Sequence, residues 1–174
     1  KRVGKDQPVV FIGRDTRASG PSLLRALSQG FAQASVRPVD LGVLPTPAVA
    51  HAVARRAPLM GIVVSASHNP AEYNGIKFFD TRGFKLSEPL ERRIESRLSA
   101  QGSFAARSAR PPSRDGQAAK DYLDYLRSTF PATEDLSGLK IVLDCANGAA
   151  SAFGPDLLRG LGADVVAVGC RPNG

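Results

Sequence analysis

The feature that most constrains this chain is an unbroken apolar run, Met60–Val64, that stops at a cluster of small and polar residues, 65–70. An apolar run of this length between turn residues is typical of a strand buried on both faces of a sheet. Pro70 cannot extend a central strand, because it has no backbone N–H to donate. The pattern therefore predicts that Ser67 and His68 lie on a loop at the carboxyl end of a buried strand. In open α/β sheets, ligands bind at that edge.

Two more strands and two helices are predicted before this run. Residues 9–12 and 39–42 have the apolar composition of buried strands. Apolar residues at helical spacing predict a helix that begins near Pro21, with Ser19 as its cap, and a second helix over residues 47–56. Strands that alternate with helices in this way indicate a parallel sheet with right-handed crossovers.

The segment after the apolar run predicts an addition to that sheet and then a change of domain. Residues 76–79 and 84–86 predict a hairpin, and a closing helix follows from about Ser87. Residues 101–114 are rich in glycine, serine and proline and show no periodicity. This composition is typical of a domain boundary.

The remainder of the chain predicts a second strand–helix–strand unit. Its predicted elements are a helix at 117–129, a strand at 140–143, a helix at 152–161 and a strand at 164–168. A single unit of this kind cannot cover both faces of its sheet. The predicted fold class is therefore α/β. A three-layer αβα domain with a mainly parallel sheet occupies residues 1–112, and an incomplete second α/β domain follows at 113–174.

The composition of the 174 residues narrows the function classes. No apolar run approaches the ~18 residues that a membrane helix needs, so we expect no membrane partner. The two cysteines, Cys145 and Cys170, are too few for a disulfide framework and suit a reducing compartment, which predicts a cytoplasmic protein. The net charge of +7 is spread over small groups of arginines, and only 6% of residues are aromatic. This pattern favours a solvated basic surface or a small anionic substrate over a nucleic-acid partner.

Two motifs carry the chemistry of the predicted loop: Ser-His-Asn-Pro at 67–70 and Asn-Gly-Ile-Lys at 74–77. Together they resemble the phosphoserine loop of the α-D-phosphohexomutase superfamily. The preceding GVLPTPAVAH, residues 42–51, makes the chain most similar to the phosphoglucosamine mutases within that superfamily. The Asn-Gly pair predicts a turn that brings Lys77 back beside Ser67.

The resemblance implies an activity and a role for each of these two residues. It implies an isomerase that interconverts glucosamine 6-phosphate and glucosamine 1-phosphate through a sugar bisphosphate, with a phosphosugar as its substrate. Ser67 would donate and accept the phosphoryl group, and Lys77 would act as a general acid/base or neutralise the phosphate. One Mg²⁺ per active site would bind an oxygen of the phosphate on Ser67 and neutralise charge during transfer. A homodimer is possible.

Four further residues are candidates for contact with the phosphoryl group: His68, Asn69, Arg14 and Arg17. His68 equally fits a solvated loop histidine, and Asn69 fits a side chain that stabilises its own loop. Arg14 and Arg17 flank Asp15 in the sequence GRDTRASG, so a structural ion-paired cluster is the alternative to anion binding at the following helix start. This segment contains no G-x-G-x-x-G and no P-loop motif, which argues against nucleotide binding.

Several alternatives stay open at the level of sequence. Without the resemblance, Ser67 is a turn serine that bonds to its own backbone. A hydrolase pair of Ser67 and His68 is disfavoured, because neighbours on an extended segment point to opposite sides and no G-x-S-x-G motif is present. A phosphomannomutase/phosphoglucomutase and a non-catalytic phosphosugar-binding module are the rival functions.

The sequence also departs from the superfamily pattern. Nothing before Val9 matches the first segment of the superfamily, which supplies an active-site arginine. An Asp-Gly-Asp-Gly-Asp metal loop, which would supply the other Mg²⁺ ligands, does not occur in the sequence. We therefore expect this chain alone to be inactive.

Overall fold

The structure, a computed structural model, describes residues 7–100 and 111–173. In chain order the elements are β1 (Val9–Arg14), α1 (Gly20–Gln33), β2 (Arg37–Val43), α2 (Thr46–Arg56), β3 (Met60–Val64), β4 (Ile76–Phe79), α3 (Glu88–Ala100), β5 (Ser113–Arg114), α4 (Ala118–Thr129), β6 (Lys140–Asp144), a 3₁₀ turn (Ala149–Ala152), α5 (Gly154–Gly160) and β7 (Asp164–Val168). In this part of the chain, no helix combines the length and the apolar character that crossing a membrane requires.

The first sheet has the strand order β4-β3-β1-β2-β5. Its central strand β1 pairs in parallel with both β2 and β3, and β5 continues the parallel arrangement beside β2. Within this sheet, β4 is the antiparallel member, paired with β3. The arrangement confirms the predicted α/β fold with a mainly parallel sheet. It also brings the carboxyl ends of β1, β2 and β3 to one edge, where such sheets bind ligands.

Apolar side chains on the two faces of this sheet form separate cores. On one face, Val10, Ile12, Ile62 and Val64 pack with Leu24 of α1. The core on the other face joins the sheet to α2 and α4 and includes Phe11, Val39, Leu41, Val49, Val53 and Tyr122. Strands covered on both faces read as continuous apolar runs, which is why Met60–Val64 could be recognised from the sequence. The result is the three-layer order of helix, sheet and helix.

The second part of the chain contains its own parallel pair of strands, β6 and β7. Burial alternates along both strands, and Val142, Val166 and Val168 are exposed. Helix α4, which precedes this pair, packs on α2. Most of the predicted linker, residues 101–110, lies outside the described residues. A domain division at residue 112 therefore stays a prediction.

Two predicted elements differ in detail from the structure. Residues 84–86 do not form a second hairpin strand, because the pairing with β4 is limited to an isolated bridge between Phe79 and Lys85. The helix predicted over 152–161 is shorter, since the 3₁₀ turn comes first and α5 starts only after Phe153. Phe153 separates the two because its φ of −146° lies outside the helical range.

The predicted turn at Asn74-Gly75 is present and fixes the start of β4. Asn74 Oδ1 accepts a hydrogen bond from the Gly75 N–H at 2.8 Å, and the Gly75 carbonyl accepts one from the Ser65 N–H at 2.9 Å. The other side of the same amide, Asn74 Nδ2, donates to Ser19 Oγ at 2.8 Å. Ser19 stands at the N-cap position of α1 but makes no capping hydrogen bond, so its predicted capping role is wrong. Its hydroxyl instead joins the start of α1 to this turn.

Candidate active site

A cleft of about 720 Å³ lies at the carboxyl edge of the first sheet. It is lined by the loops after β1 and β3, by the start of α2 and by the turn after β6. Its lining includes Asp15, Thr16, Arg17, Thr46, Ser65, Ser67, His68, Asn69, Ala146, Asn147 and Gly148. The start of an α-helix carries a partial positive charge, so α2 favours an anion in this cleft.

Ser67 is exposed in the cleft and has the left-handed backbone conformation, with a φ of 59°. For a residue with a Cβ, this conformation costs about 1–2 kcal/mol. Two hydrogen bonds hold the Ser67 backbone in place: its N–H donates to Ser65 Oγ at 3.0 Å, and its carbonyl accepts from Arg17 Nη2 at 3.1 Å. The Ser67 side chain lines the cleft, and its hydroxyl has no hydrogen-bond partner among the described residues.

The guanidinium of Arg17 lies under the same loop and is almost completely buried, with 9% of the side chain exposed. Its Nε donates to Asp15 Oδ2 at 2.9 Å. Its four Nη–H groups point to backbone carbonyls, those of Ser67 at 3.1 Å, Asn69 at 2.7 Å, Pro70 at 2.5 Å and Tyr73 at 2.8 Å. An arginine has five N–H donors, so all of them are engaged.

Asp15 completes this arrangement by linking the two loops. Its Oδ1 accepts from the Arg17 backbone N–H at 3.1 Å, and its own N–H donates to the Val64 carbonyl at the end of β3 at 3.1 Å. The ion-paired cluster that the sequence offered as an alternative is therefore present in part. It contains Asp15 and Arg17, whereas Arg14 pairs with Asp40, from its Nη1 to Oδ1 at 3.2 Å.

The predicted site residues fall into two groups by position. Ser67, His68, Asn69 and Arg17 come together at the cleft. Arg14 and Lys77 are not among the described residues that line it. Lys77 is half-buried on β4, where its backbone pairs with that of Val63 on β3. The predicted roles of these residues stay predictions.

Two residues of the site were not assigned a role from the sequence. Ser65 Oγ accepts a hydrogen bond from the Ser67 N–H. The spacing Ser-x-Ser directly after a strand is a local signal for such a serine turn. Thr16 Oγ1 donates to the carbonyl of Asn147 at 2.8 Å, across 131 positions in sequence. No local pattern predicts this contact, which ties the turn after β6 to the loop after β1.

The thiol of Cys145, directly after β6, is a poor nucleophile. Burial raises the pKa of Cys145 to about 11, and the hydrogen bond to Cys170 and the charge of Asp144 act in the same direction. A thiol with this pKa stays protonated at neutral pH, and the thiolate is the reactive form. Compared with this thiol, the Ser67 hydroxyl, which lines the cleft, is the better candidate for covalent chemistry.

The described residues do not form a metal site by themselves. Within residues 7–100 and 111–173, no three His, Cys, Asp or Glu side chains are grouped so that they could hold an ion. Asp15 is the carboxylate in the cleft lining, and both of its oxygens already accept hydrogen bonds from Arg17. Mg²⁺ is usually held by one or two carboxylates together with phosphate oxygens. These residues therefore do not fit Mg²⁺ without ligands from elsewhere.

Comparison with known proteins identifies what the chain is similar to. Residues 1–104 match the phosphoglucomutase/phosphomannomutase family at its alpha/beta/alpha domain I. The phosphoglucosamine mutase of Verminephrobacter eiseniae (strain EF01-2) is 45% identical over 174 residues, 99% of this chain and 38% of that protein. The phosphoglucosamine mutase of Dechloromonas aromatica (strain RCB) is 46% identical over 175 residues, 97% of this chain and 38% of that protein. The chain thus spans less than two fifths of the length of these relatives.

A solved structure has the same architecture. The crystal structure of a phosphoglucomutase/phosphomannomutase family protein from Burkholderia thailandensis superimposes with a TM-score of 0.75 at 29% identity. The match covers 97% of this chain and 37% of that one. The fold described above, including the second strand–helix–strand unit, therefore recurs in a solved structure.

Proposed function

This chain belongs to the phosphoglucomutase/phosphomannomutase family, and on that premise we propose that it is the N-terminal part of a phosphoglucosamine mutase. The proposal rests on one observation above the others. An exposed serine, Ser67, is fixed in a left-handed conformation at the ligand-binding edge of the sheet, within a Ser-His-Asn-Pro loop. The relatives of that name, 45% and 46% identical over nearly the whole chain, support the choice of substrate.

In the proposed reaction, Ser67 is the phosphoryl carrier. Phospho-Ser67 transfers its phosphoryl group to the 1-hydroxyl of glucosamine 6-phosphate, which gives glucosamine 1,6-bisphosphate and a free Ser67 hydroxyl. The phosphoryl group at the 6-position is then transferred to the Ser67 hydroxyl, which regenerates phospho-Ser67 and leaves glucosamine 1-phosphate. No phosphate is gained or lost over the cycle, and catalysis of each transfer depends on positioning and on electrostatic stabilisation.

The neighbouring residues have supporting roles in this proposal. Lys77 acts as a general acid/base or neutralises the transferred phosphate, since no ion pair occupies its ammonium among the described residues. His68 and Asn69 contact the phosphoryl group from the same exposed loop. Arg14 is proposed for the same phosphate, although its Nη1 is held by Asp40. Arg17 is also a candidate for contact with the phosphoryl group. Its five N–H donors are already engaged, which favours a role in holding the loop that carries Ser67.

The proposal includes one Mg²⁺ per active site, which would neutralise charge on the phosphate when bound. This chain would supply an oxygen of the phosphate on Ser67. The other ligands would come from outside the described residues, which hold no group of three ligand side chains.

The two cysteines carry free thiols, which agrees with the proposed cytoplasmic location.

A phosphomannomutase is the second candidate function. It is favoured by a second solved structure, from Thermus thermophilus, which has been assigned provisionally as a phosphomannomutase. That structure superimposes with a TM-score of 0.83 at 28% identity, and the match covers 97% of this chain and 39% of that one. A comparison of substrates separates the two candidates, because the same protein can be tested with both sugars.

The experiment uses the full-length protein, a sugar bisphosphate as activator, and glucosamine 6-phosphate, mannose 6-phosphate and glucose 6-phosphate as substrates. We expect the highest kcat/KM for glucosamine 6-phosphate and a phosphate on Ser67 in peptide mass spectra. Ser67→Ala should abolish turnover, because no other described residue combines a cleft-exposed hydroxyl with this loop. Ser96→Ala, at an exposed serine of α3, is the control and should leave turnover unchanged. Full activity of Ser67→Ala would refute the proposal.

A further inference from the structure

Arg17 makes more hydrogen bonds than its ion pair with Asp15 requires. One donor of the guanidinium satisfies Asp15, and the remaining four hold carbonyl oxygens between residues 67 and 73. A single buried side chain thus fixes most of the loop that carries Ser67. The positive charge of Arg17 is balanced by Asp15, so its contribution to this loop is mainly geometric.

The Ser67 backbone is held from both sides by side chains. Ser65 Oγ accepts a hydrogen bond from the Ser67 N–H, and Arg17 Nη2 donates one to the Ser67 carbonyl. A left-handed serine is disfavoured and persists only where its surroundings determine it. Without these two contacts, the Ser67 backbone would return to a common conformation, and the hydroxyl would point elsewhere.

We propose that Arg17 and Ser65 are positioning residues that set the direction of the Ser67 oxygen for phosphoryl transfer. This inference rests on the proposed function in one respect, namely that Ser67 is the phosphoryl carrier. Arg17 acts through the loop and need not touch the sugar phosphate. A lysine cannot replace it, because an ammonium has three donors and no planar fork, whereas the loop presents four carbonyls and Asp15.

The inference predicts a specific kinetic pattern. Misplacing a reacting group by about 1 Å costs on the order of 10²-fold in rate, so Arg17→Lys should lower kcat by about 10²-fold. The KM for the sugar phosphate should change by no more than about twofold, because the residue is buried beneath the loop and does not bind substrate. A phosphate-binding role for Arg17 would instead raise KM.

The experiment compares three variants of the full-length protein: Arg17→Lys, Ser65→Ala and the control Arg92→Lys. Arg92 forms an exposed ion pair with Glu88 on α3, so its variant should retain wild-type kinetics. Ser65→Ala removes one acceptor from the loop and should lower kcat in the same direction as Arg17→Lys, by about tenfold. Melting temperatures show which variants fold.

Amide hydrogen exchange at residues 65–75 provides a second readout that does not depend on turnover. We expect exchange in this segment to be at least about tenfold faster in Arg17→Lys and Ser65→Ala, with β1 and β3 unchanged. Wild-type kcat together with unchanged exchange would overturn the inference, as would a raised KM at unchanged kcat. A wild-type protein without mutase activity would refute the proposed function, while the exchange comparison would still decide whether Arg17 holds the loop. Should Arg17→Lys not fold, the result for Ser65→Ala decides.

Discussion

Lys77 shares its face of β4 with Phe79, because side chains two apart on a strand point the same way. Phe79 is buried against the core that includes α2, whereas Phe78 packs against the core on the other face. Lys77 is thus half-buried at the sheet edge and has no ion pair among the described residues. A positive group left unpaired in this way remains available to an anionic ligand.

Replacement of Lys77 by methionine tests this availability. Methionine keeps most of the apolar stem, so we expect Lys77→Met in the full-length protein to melt close to the wild type. Loss of a positioned acid/base or charge-stabilising group typically lowers kcat by ~10²–10⁴-fold. Lys85→Met, at an exposed lysine paired with Glu91, is the matched control. A lower melting temperature with near-normal turnover would mean that Lys77 is only a packing residue.

At the scale of elements, α2 and α4 are joined by an aromatic and ionic contact on the far side of the sheet from α1. The His51 ring stacks on Tyr125 with 4.3 Å between centroids and lies at 5.7 Å from Tyr122. Arg56 of α2 forms ion pairs with Asp115 and Asp121 beside them. Burial lowers the pKa of His51, the positive charges of Arg55 and Arg56 lower it further, and Asp121 opposes them.

The lowered pKa of His51 predicts that the free energy of unfolding depends on pH. The pKa of His51 in the folded chain lies below its unfolded value of about 6.5. As the pH falls through about 6.5, the unfolded chain takes up a proton that the folded chain does not, so the free energy of unfolding decreases. The decrease should end once the pH is below the folded pKa. Thermal melts between about pH 5 and pH 8 should show a smaller slope for His51→Gln than for the wild type. Equal slopes would show that the folded structure does not lower the pKa of His51.

The elements themselves differ in how far the sequence determines them. Met60–Val64 was predicted to the residue, because burial on both faces leaves every position apolar or small. β5 has only two residues, Ser113 and Arg114, and its exposed edge position leaves no apolar pattern to detect. The acceptors of Arg17 could not be predicted either, since backbone carbonyls 50–56 positions away carry no side-chain signal. The motif identified the loop, but only the tertiary structure shows what holds it.

At the scale of the whole molecule, the cleft depends on contact between the two parts of the chain. The turn after β6 contributes Asn147 and Gly148 to the lining, and Thr16 binds the Asn147 carbonyl. Ala146 and Asn147 also have left-handed conformations, with φ of 48° and 51°. The second unit therefore forms part of the site, although the apolar residues Val142, Val166 and Val168 remain exposed on it.

The last prediction concerns residues 1–174 as an isolated protein, which we expect to show no mutase turnover. Phosphoryl transfer depends on orienting the substrate and neutralising charge. The described residues supply a positioned serine but no group of three metal ligands. The chain also spans only 38% of the length of the two phosphoglucosamine mutases compared above. A coupled assay for glucosamine 1-phosphate, with Mg²⁺ and a sugar bisphosphate, would compare this chain with the full-length protein at equal concentration. Measurable turnover by residues 1–174 would contradict this prediction. It would mean that the Ser67 loop and its immediate surroundings suffice for both transfers, and that substrate orientation contributes less than the ~10²-fold or more expected for it.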